Sequence, residues 1–144
     1  MAFLDTTVPI HATGRSHPQL QPSAEVILAI GASPENVVSS SEVLQEILHF
    51  GVKRNDLDRA RLLILRLQEI LAQRISSVHA GDLIAAVTQP FDPALSARDR
   101  VHVAVMRRLG IDTIISADRD FDLVPGIRRL DPLDFEKWRD EVFG

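Results

Sequence analysis

The sequence predicts an α/β fold organised on a central, mainly parallel sheet of four to five strands flanked by helices. Three observations predict it. Short apolar runs alternate with longer amphipathic segments along the chain, as in strand–helix–strand units. The chain opens on the apolar run Met1-Ala2-Phe3-Leu4, and a second clear strand pattern, Thr113-Ile114-Ile115, lies far downstream. Each run is followed by a carboxylate, Asp5 and Asp118. Right-handed crossovers bring parallel strand ends to one edge, where open α/β sheets hold their ligands.

The elements follow in order. Residues 1–8 hold the first strand. Residues 14–22, with glycine, serine and two prolines, read as a loop. A helix over 23–30 follows, with Pro22 at its first turn and Gly31 just past its end. Residues 36–39 are a short strand. Ser39-Ser40-Ser41-Glu42 has the spacing of a capping box, which assigns Glu42 to capping. The helix it opens ends at Gly51. Val43, Leu44, Ile47, Leu48 and Phe50 share one face of it, with Glu46 at the margin, placed to reach a cleft.

Asn55 is the expected cap of the next helix, which runs to residue 73. Its segment from Leu62 to Leu67 is apolar on more than one face, so the helix is either deeply packed or meets a partner, with burial within the monomer the first reading. Residues 75–78 form a third strand. Residues 82–88 are helical, with Asp82 as a first-turn acid, and 89–94 are a loop. Ser96-Ala97-Arg98-Asp99 repeats the capping-box pattern and opens a helix that Gly110 ends after Leu109. Residues 112–116 are a strand and 126–130 a fifth one. Asp131 and Pro132 cap and open a terminal helix.

At 144 residues the chain reads as one domain, 1–144. Its hydrophobic fraction of 45% and charged fraction of 25% are those of an ordinary globular protein. The absence of cysteine excludes disulfides, thiolate nucleophiles and zinc–sulfur sites. No apolar run approaches the ~20 residues of a membrane span. No basic segment followed by an apolar core marks a signal peptide, so the expected compartment is the cytoplasm. The net charge of −4 argues against general nucleic-acid binding. A cluster of metal-binding acids would itself pull that sum negative. The pairs Lys53-Arg54, Arg107-Arg108 and Arg128-Arg129 read first as solvated helix-end charges.

Four acids stand out as a candidate constellation: Asp5, Glu46, Asp99 and Asp118. Clustered acids repel one another, and a divalent cation relieves the repulsion. Hard cations such as Mg²⁺ take oxygen ligands and are commonly shared with substrate phosphates. Thr6, Thr7 and Ser116 supply hydroxyls that can orient the strand-end carboxylates. Each acid also has a plain structural reading. Asp5 serves equally as a turn residue, Glu46 as a solvated helix acid, Asp99 as the third residue of a capping box and Asp118 as a turn cap. Asp120 and Asp122 read as accessory or surface acids, with Asp120 within reach of a second metal. Competing classes lack their own marks. A phosphate-accepting receiver domain needs a lysine at a strand end. An Asp-x-Asp phosphatase needs an acid where Thr7 stands, and dinucleotide binding needs more glycine than Gly14.

The order LDTTV, SSEVLQEIL, RDRVHVAVMRRLG and IISADRDFDLVPGIRRLDP resembles the PIN-domain nucleases. It is most similar to the toxin component of VapBC-type toxin–antitoxin pairs. Asp5, Glu46, Asp99 and Asp118 match the four acids of that family. Ser116 takes the place of its threonine, and Asp120-Phe121 complete its last segment. Thr7 stands where the family often has asparagine or serine, and Arg100 replaces a small residue. The resemblance implies a three-layer PIN-like fold and a Mg²⁺- or Mn²⁺-dependent endoribonuclease. It implies Asp5, Asp99 and Asp118 as metal ligands and Glu46 as a ligand or positioner of water, with Thr7, Ser116 and Asp120 in support. Arg15, Arg98 and Arg119 are candidates for steering RNA phosphates. The substrate implied is tRNA, rRNA or mRNA. The partner implied is a cognate antitoxin protein docked on the helix from Leu57 to Leu71 and the helix before it. A homodimer or a hetero-oligomer with antitoxin is expected. The alternative is a PIN-like module that binds RNA or a partner without catalysis.

Overall fold

The computed structural model describes residues 1–144. Five parallel strands form one sheet in the order β3-β2-β1-β4-β5. They are β1 (Ala2–Leu4), β2 (Val37–Ser40), β3 (Ile75–Ser76), β4 (Thr113–Ile115) and β5 (Arg128–Leu130). Seven helices surround them: α1 (Thr7–Ala12), α2 (Leu20–Ala32), α3 (Ser41–Lys53), α4 (Leu57–Leu71), α5 (Ala80–Thr88), α6 (Ala97–Leu109) and α7 (Phe135–Phe143).

The opening run is buried throughout because β1 is the middle strand. It pairs Ala2 with Val37 on one side and Leu4 with Ile115 on the other. From β1 the chain builds outward to β2 and β3, then returns to the far side of β1 for β4 and β5. The order therefore reverses between β1 and β4. That switch point opens a crevice at the strand ends, the usual ligand position in such sheets.

One hydrophobic cluster spans the molecule, with Phe3, Leu4, Ile114 and Ile115 fully buried at its centre. Helix α6 runs through it, with Val101 to Met106 buried in an unbroken row. Gly51 lies at the close approach of α3 and α4, where an added Cβ would sit 2.4 Å from that of Ala60. Helices α5 and α6 are stapled by Asp82. Its carboxylate accepts the His79 N–H at 2.8 Å and the Arg108 Nε–H at 2.9 Å.

Several sequence expectations are corrected. Thr7 and Val8, read with the opening strand stretch, instead begin α1. Pro9 fits its first turn because no helical partner is needed there. The expected 14–22 loop is shorter, since α2 starts at Leu20 and runs through Gly31. Ser39 is not a cap. It stays in β2 and donates to the Leu4 carbonyl at 3.0 Å, so Ser40 becomes the N-cap and Glu42 closes no capping box. Helix α3 passes through Gly51, where small size rather than chain termination is what the packing uses. Asp56, not Asn55, caps α4 and accepts the Arg59 N–H at 3.2 Å. Asn55 takes the left-handed φ of 52° in the tight link. Helix α4 ends at Leu71 and tightens into a 3₁₀ turn through Arg74. Asp131 caps a 3₁₀ turn, and α7 starts only at Phe135. The two-faced apolar pattern of α4 is only half buried in the monomer. Ala60, Leu63, Leu67 and Leu71 enter the core, while Leu57, Leu62 and Leu65 face solvent. No helix is long and apolar enough to cross a membrane.

The staple sets an acid limit on stability. Burial works to raise the Asp82 pKa, but the Arg108 and His79 hydrogen bonds outweigh it and hold the carboxyl below its ordinary 3.8. A depressed folded-state pKa contributes stability above the unfolded value, and the contribution disappears as pH falls through the folded one. Asp82→Asn is expected to cost roughly 1–3 kcal/mol at neutral pH. It should also flatten the loss of stability below about pH 3.8, both read by urea unfolding across pH.

Candidate active site

The switch-point crevice is built around Asp5. Burial leaves it 3% exposed. Its Oδ2 accepts the Ser116 hydroxyl at 2.6 Å and the Thr7 hydroxyl at 2.9 Å. Ser116 Oγ in turn accepts the Asp118 N–H at 2.9 Å, and Thr7 Oγ1 accepts the Ala117 N–H at 3.2 Å. Two hydroxyls thus lock the end of β1 to the end of β4 and set the direction in which Asp118 leaves. Arg129 holds the turn from beneath, donating to the Ser116 carbonyl at 3.1 Å while pairing with Asp122 and Asp131.

Asp118 caps the 3₁₀ turn of residues Arg119–Leu123 by accepting the Asp120 N–H at 2.9 Å. The turn folds Asp120 back beside it. Asp99 arrives from the first turn of α6. Ser96 caps that helix by accepting the Asp99 N–H at 3.2 Å. Asp99 makes no return bond to the Ser96 N–H, so only the serine half of the expected capping box forms. One carboxylate oxygen from each of Asp99, Asp118 and Asp120 lies within 4.8 Å of the others. No lysine or arginine pairs with any of the three. Burial, then the negative charges of Asp5 and Asp118, push the Asp99 carboxyl up to about 7.

Glu46 reaches the crevice from α3, and its side chain is 15% exposed. Its Oε1 lies 2.7 Å from the Nε2 of His102, which stands 3.8 Å from Asp5 Oδ1. His102 is fully buried between the rings of Phe3 and Phe121. Burial opposes charge on the imidazole, but the Glu46 hydrogen bond and the charges of Asp5, Glu46 and Asp99 prevail and raise its pKa. For Glu46, burial acts upward, and the bond and charge of His102 bring the net below the ordinary glutamate range. The imidazole thus joins the helix acid to the strand-end acid.

Such a set of oxygen donors suits a hard divalent cation. The three clustered carboxylates are in excess charge, and Asp5 adds a fourth that is held in place by hydroxyls. The model of the PIN domain family matches residues 2–127. The chain belongs to the PIN-domain family. Ribonuclease VapC13 of Mycobacterium tuberculosis is 33% identical to it over 135 residues, which cover 90% of this chain and 99% of the relative. Ribonuclease VapC23 of the same species is 34% identical over 122 residues, 82% of this chain and 93% of the relative. Two solved structures share the fold. Mycobacterium tuberculosis VapC20, described as a sarcin-ricin loop cleaving toxin, has a TM-score of 0.67 at 20% identity, over 85% of this chain and 93% of its own. A toxin–antitoxin complex from Klebsiella pneumoniae has a TM-score of 0.60 at 17% identity, over 92% and 98%. This PIN domain is a homologue of the VapC ribonuclease toxins.

In the PIN domain, Asp5, Asp99 and Asp118 line one crevice, with Thr7 and Ser116 bonded to Asp5. Asp120 stands closer to the acid cluster than its place as a supporting residue suggested. Glu46 connects to Asp5 through His102. Glu42 is half-buried on α3. Sequence reading missed His102 as a site residue. A signal existed, because it lies one helical turn after Asp99 and so shares its face. Arg98 opens into the same crevice wall as Glu46, whereas Arg119 belongs to a separate surface hollow with Asp122 and Arg129.

Repulsion within the cluster gives a test independent of activity. Above about pH 7, where Asp99 is ionised, Asp99→Asn removes one charge from the group. In EDTA the variant is expected to melt at least about 2 °C above the parent, and to lack the Mn²⁺-dependent rise in melting temperature expected of the parent.

Proposed function

We propose that this chain is the toxin of a toxin–antitoxin pair. It acts as a divalent-metal-dependent endoribonuclease that hydrolyses RNA phosphodiester bonds at the four-carboxylate crevice. The observation that carries the reading is the grouping of Asp99, Asp118 and Asp120 beside Asp5, without a balancing basic side chain, in a chain of the PIN family.

Asp5, Asp99, Asp118 and Asp120 would hold Mg²⁺ or Mn²⁺. When bound, such an ion supplies charge neutralisation at the scissile phosphate and lowers the pKa of water. The chain's own residues set the geometry. Ser116 and Thr7 hold Asp5 Oδ2 and leave Oδ1 directed toward the crevice side where His102 stands. Glu46, fixed by His102, orients the attacking water. The fully buried imidazole keeps the rear of the site dry and the glutamate in one rotamer.

The substrate class in this reading is RNA: tRNA, rRNA or mRNA. The partner is a cognate antitoxin protein. Its docking surface in this proposal is the exposed apolar face of α4 (Leu57, Leu62, Leu65) together with Leu48 and Val52 of α3. Likeness to a chain of a toxin–antitoxin complex supports that partner, and self-association as a dimer is part of the same proposal.

Cleavage of total RNA by the antitoxin-free protein is expected to need Mg²⁺ or Mn²⁺ and to stop in EDTA. Asp5→Asn and Asp118→Asn should each lose more activity than Ser116→Ala, for which loss of an orienting partner predicts ~10–100-fold. Equal cleavage by Asp5→Asn and the parent protein would overturn the assignment and favour a module that binds RNA or a partner without cutting.

A further inference from the structure

Two hollows lie end to end beyond Glu46. The inner one, about 290 Å³, is lined by Thr6, Glu46, Arg98 and Lys53 among others. The outer one, about 370 Å³, shares Ile10, Phe50 and Arg54 with it and extends to His11, Arg15, His17 and Arg59. Together they form one trough from the carboxylate crevice to the loop between α1 and α2. No acid lines the outer half. In a chain of net charge −4 this concentrates three arginines and two histidines in one place.

The outer hollow is built rather than incidental. Arg59 is held over the Phe50 ring at 5.0 Å, donates Nη2 to the Ile10 carbonyl at 2.6 Å and Nε to Thr13 Oγ1 at 3.2 Å. Its Nη1 donates to no protein acceptor. Gly14 makes room for it, since a Cβ there would lie 3.1 Å from Arg59 Nη2. Arg54 also lies over the Phe50 ring, at 5.5 Å. His11 and His17 stack with centroids 4.9 Å apart and planes 9° from parallel. His17 is itself oriented by the Gln19 N–H, which donates to its Nδ1 at 3.1 Å, and leaves the ring exposed. His11 Nδ1 is buried without a partner.

We propose that the hollow formed by His11, Arg15, His17, Phe50, Arg54 and Arg59 binds an unpaired ribonucleotide adjacent to the scissile phosphate, with its phosphate on the guanidiniums and its base on the histidine stack. Preordered guanidiniums recognise phosphate oxygens. A flat imidazole pair offers a stacking face for a splayed-out base, which a duplex cannot present. The volume falls within the range of small-ligand sites. An acidic peptide would use the arginines and leave the stacked rings without a role.

The inference rests on the ribonuclease reading for its substrate, and binding separates the two. The probe is a fluorescein-labelled, mixed-sequence single-stranded RNA titrated with the full chain in EDTA and followed by anisotropy. Arg54→Ala and His17→Ala are each expected to weaken binding at least about fivefold. His17→Phe should retain it, and Arg139→Ala on α7 should leave it unchanged. The same RNA in duplex form should bind more weakly. Parent-like affinity in both alanine variants, or failure of the parent to bind the single strand, would overturn the hollow as a nucleotide site. So would equal competition by poly-glutamate, which would point to an acidic protein partner. Binding lost in the variants of a parent that shows no Mg²⁺-dependent cleavage keeps the hollow and removes the nuclease reading. Cleavage with unaltered KM and binding in the variants does the reverse.

Discussion

The hydrogen bond from Ser116 to Asp5 is the constraint on which the site depends. At 2.6 Å it joins the ends of the two strands that flank the switch point. The serine also receives the Asp118 N–H, so one hydroxyl aligns two acids. Thr7, at the start of α1, repeats the arrangement, with one bond to Asp5 and another from Ala117. Both hydroxyls can donate to the carboxylate and still accept from backbone. A side chain lacking a donor at either position would remove one of the two bonds to Asp5 Oδ2, and a hydrogen bond to a charged group is worth about 1.5–3 kcal/mol.

Around that junction the structure divides its acids into two kinds. Asp82 and Asp131 are neutralised by Arg108 and Arg129, and both fall below the ordinary carboxylate range. They hold elements together. Asp99, Asp118 and Asp120 have no such basic partner, and Asp99 moves the opposite way. The contrast identifies the crevice without reference to any relative. Asp82 and Asp131 are paired, while Asp99, Asp118 and Asp120 in the crevice are left in mutual repulsion.

Much of this was legible in the sequence. The strand alternation and the buried opening run are local or periodic signals, and they led to the right sheet; the spaced acids Asp5, Asp99 and Asp118 come together at the ends of its strands. The errors were in choices that only packing decides. Ser39 and Ser40 are equivalent as caps on paper, but the Leu4 carbonyl claims Ser39. Gly51 looks like a helix end until Ala60 is seen against it. His102 reads as a core residue because its partners, Glu46 and Asp5, come from elements far away in sequence. The basic hollow was the least legible part. Arg15, Arg54 and Arg59 come from three segments, and in sequence only Arg15 is singled out, while Arg54 and Arg59 pass for solvated charges.

The central position of β1 has a consequence for assembly. Asp5 and Ser116 are 111 residues apart in sequence, and β1 stays half paired until β4 arrives. Closing so long a loop must precede the contacts that reward it, which makes the sheet a late and cooperative event. A growing chain that has emerged only as far as α6 already carries Asp5, Glu46 and Asp99. It has neither Ser116 to orient Asp5 nor Asp118 to complete the crevice. The topology therefore delays the assembled crevice until nearly the whole chain has been synthesised.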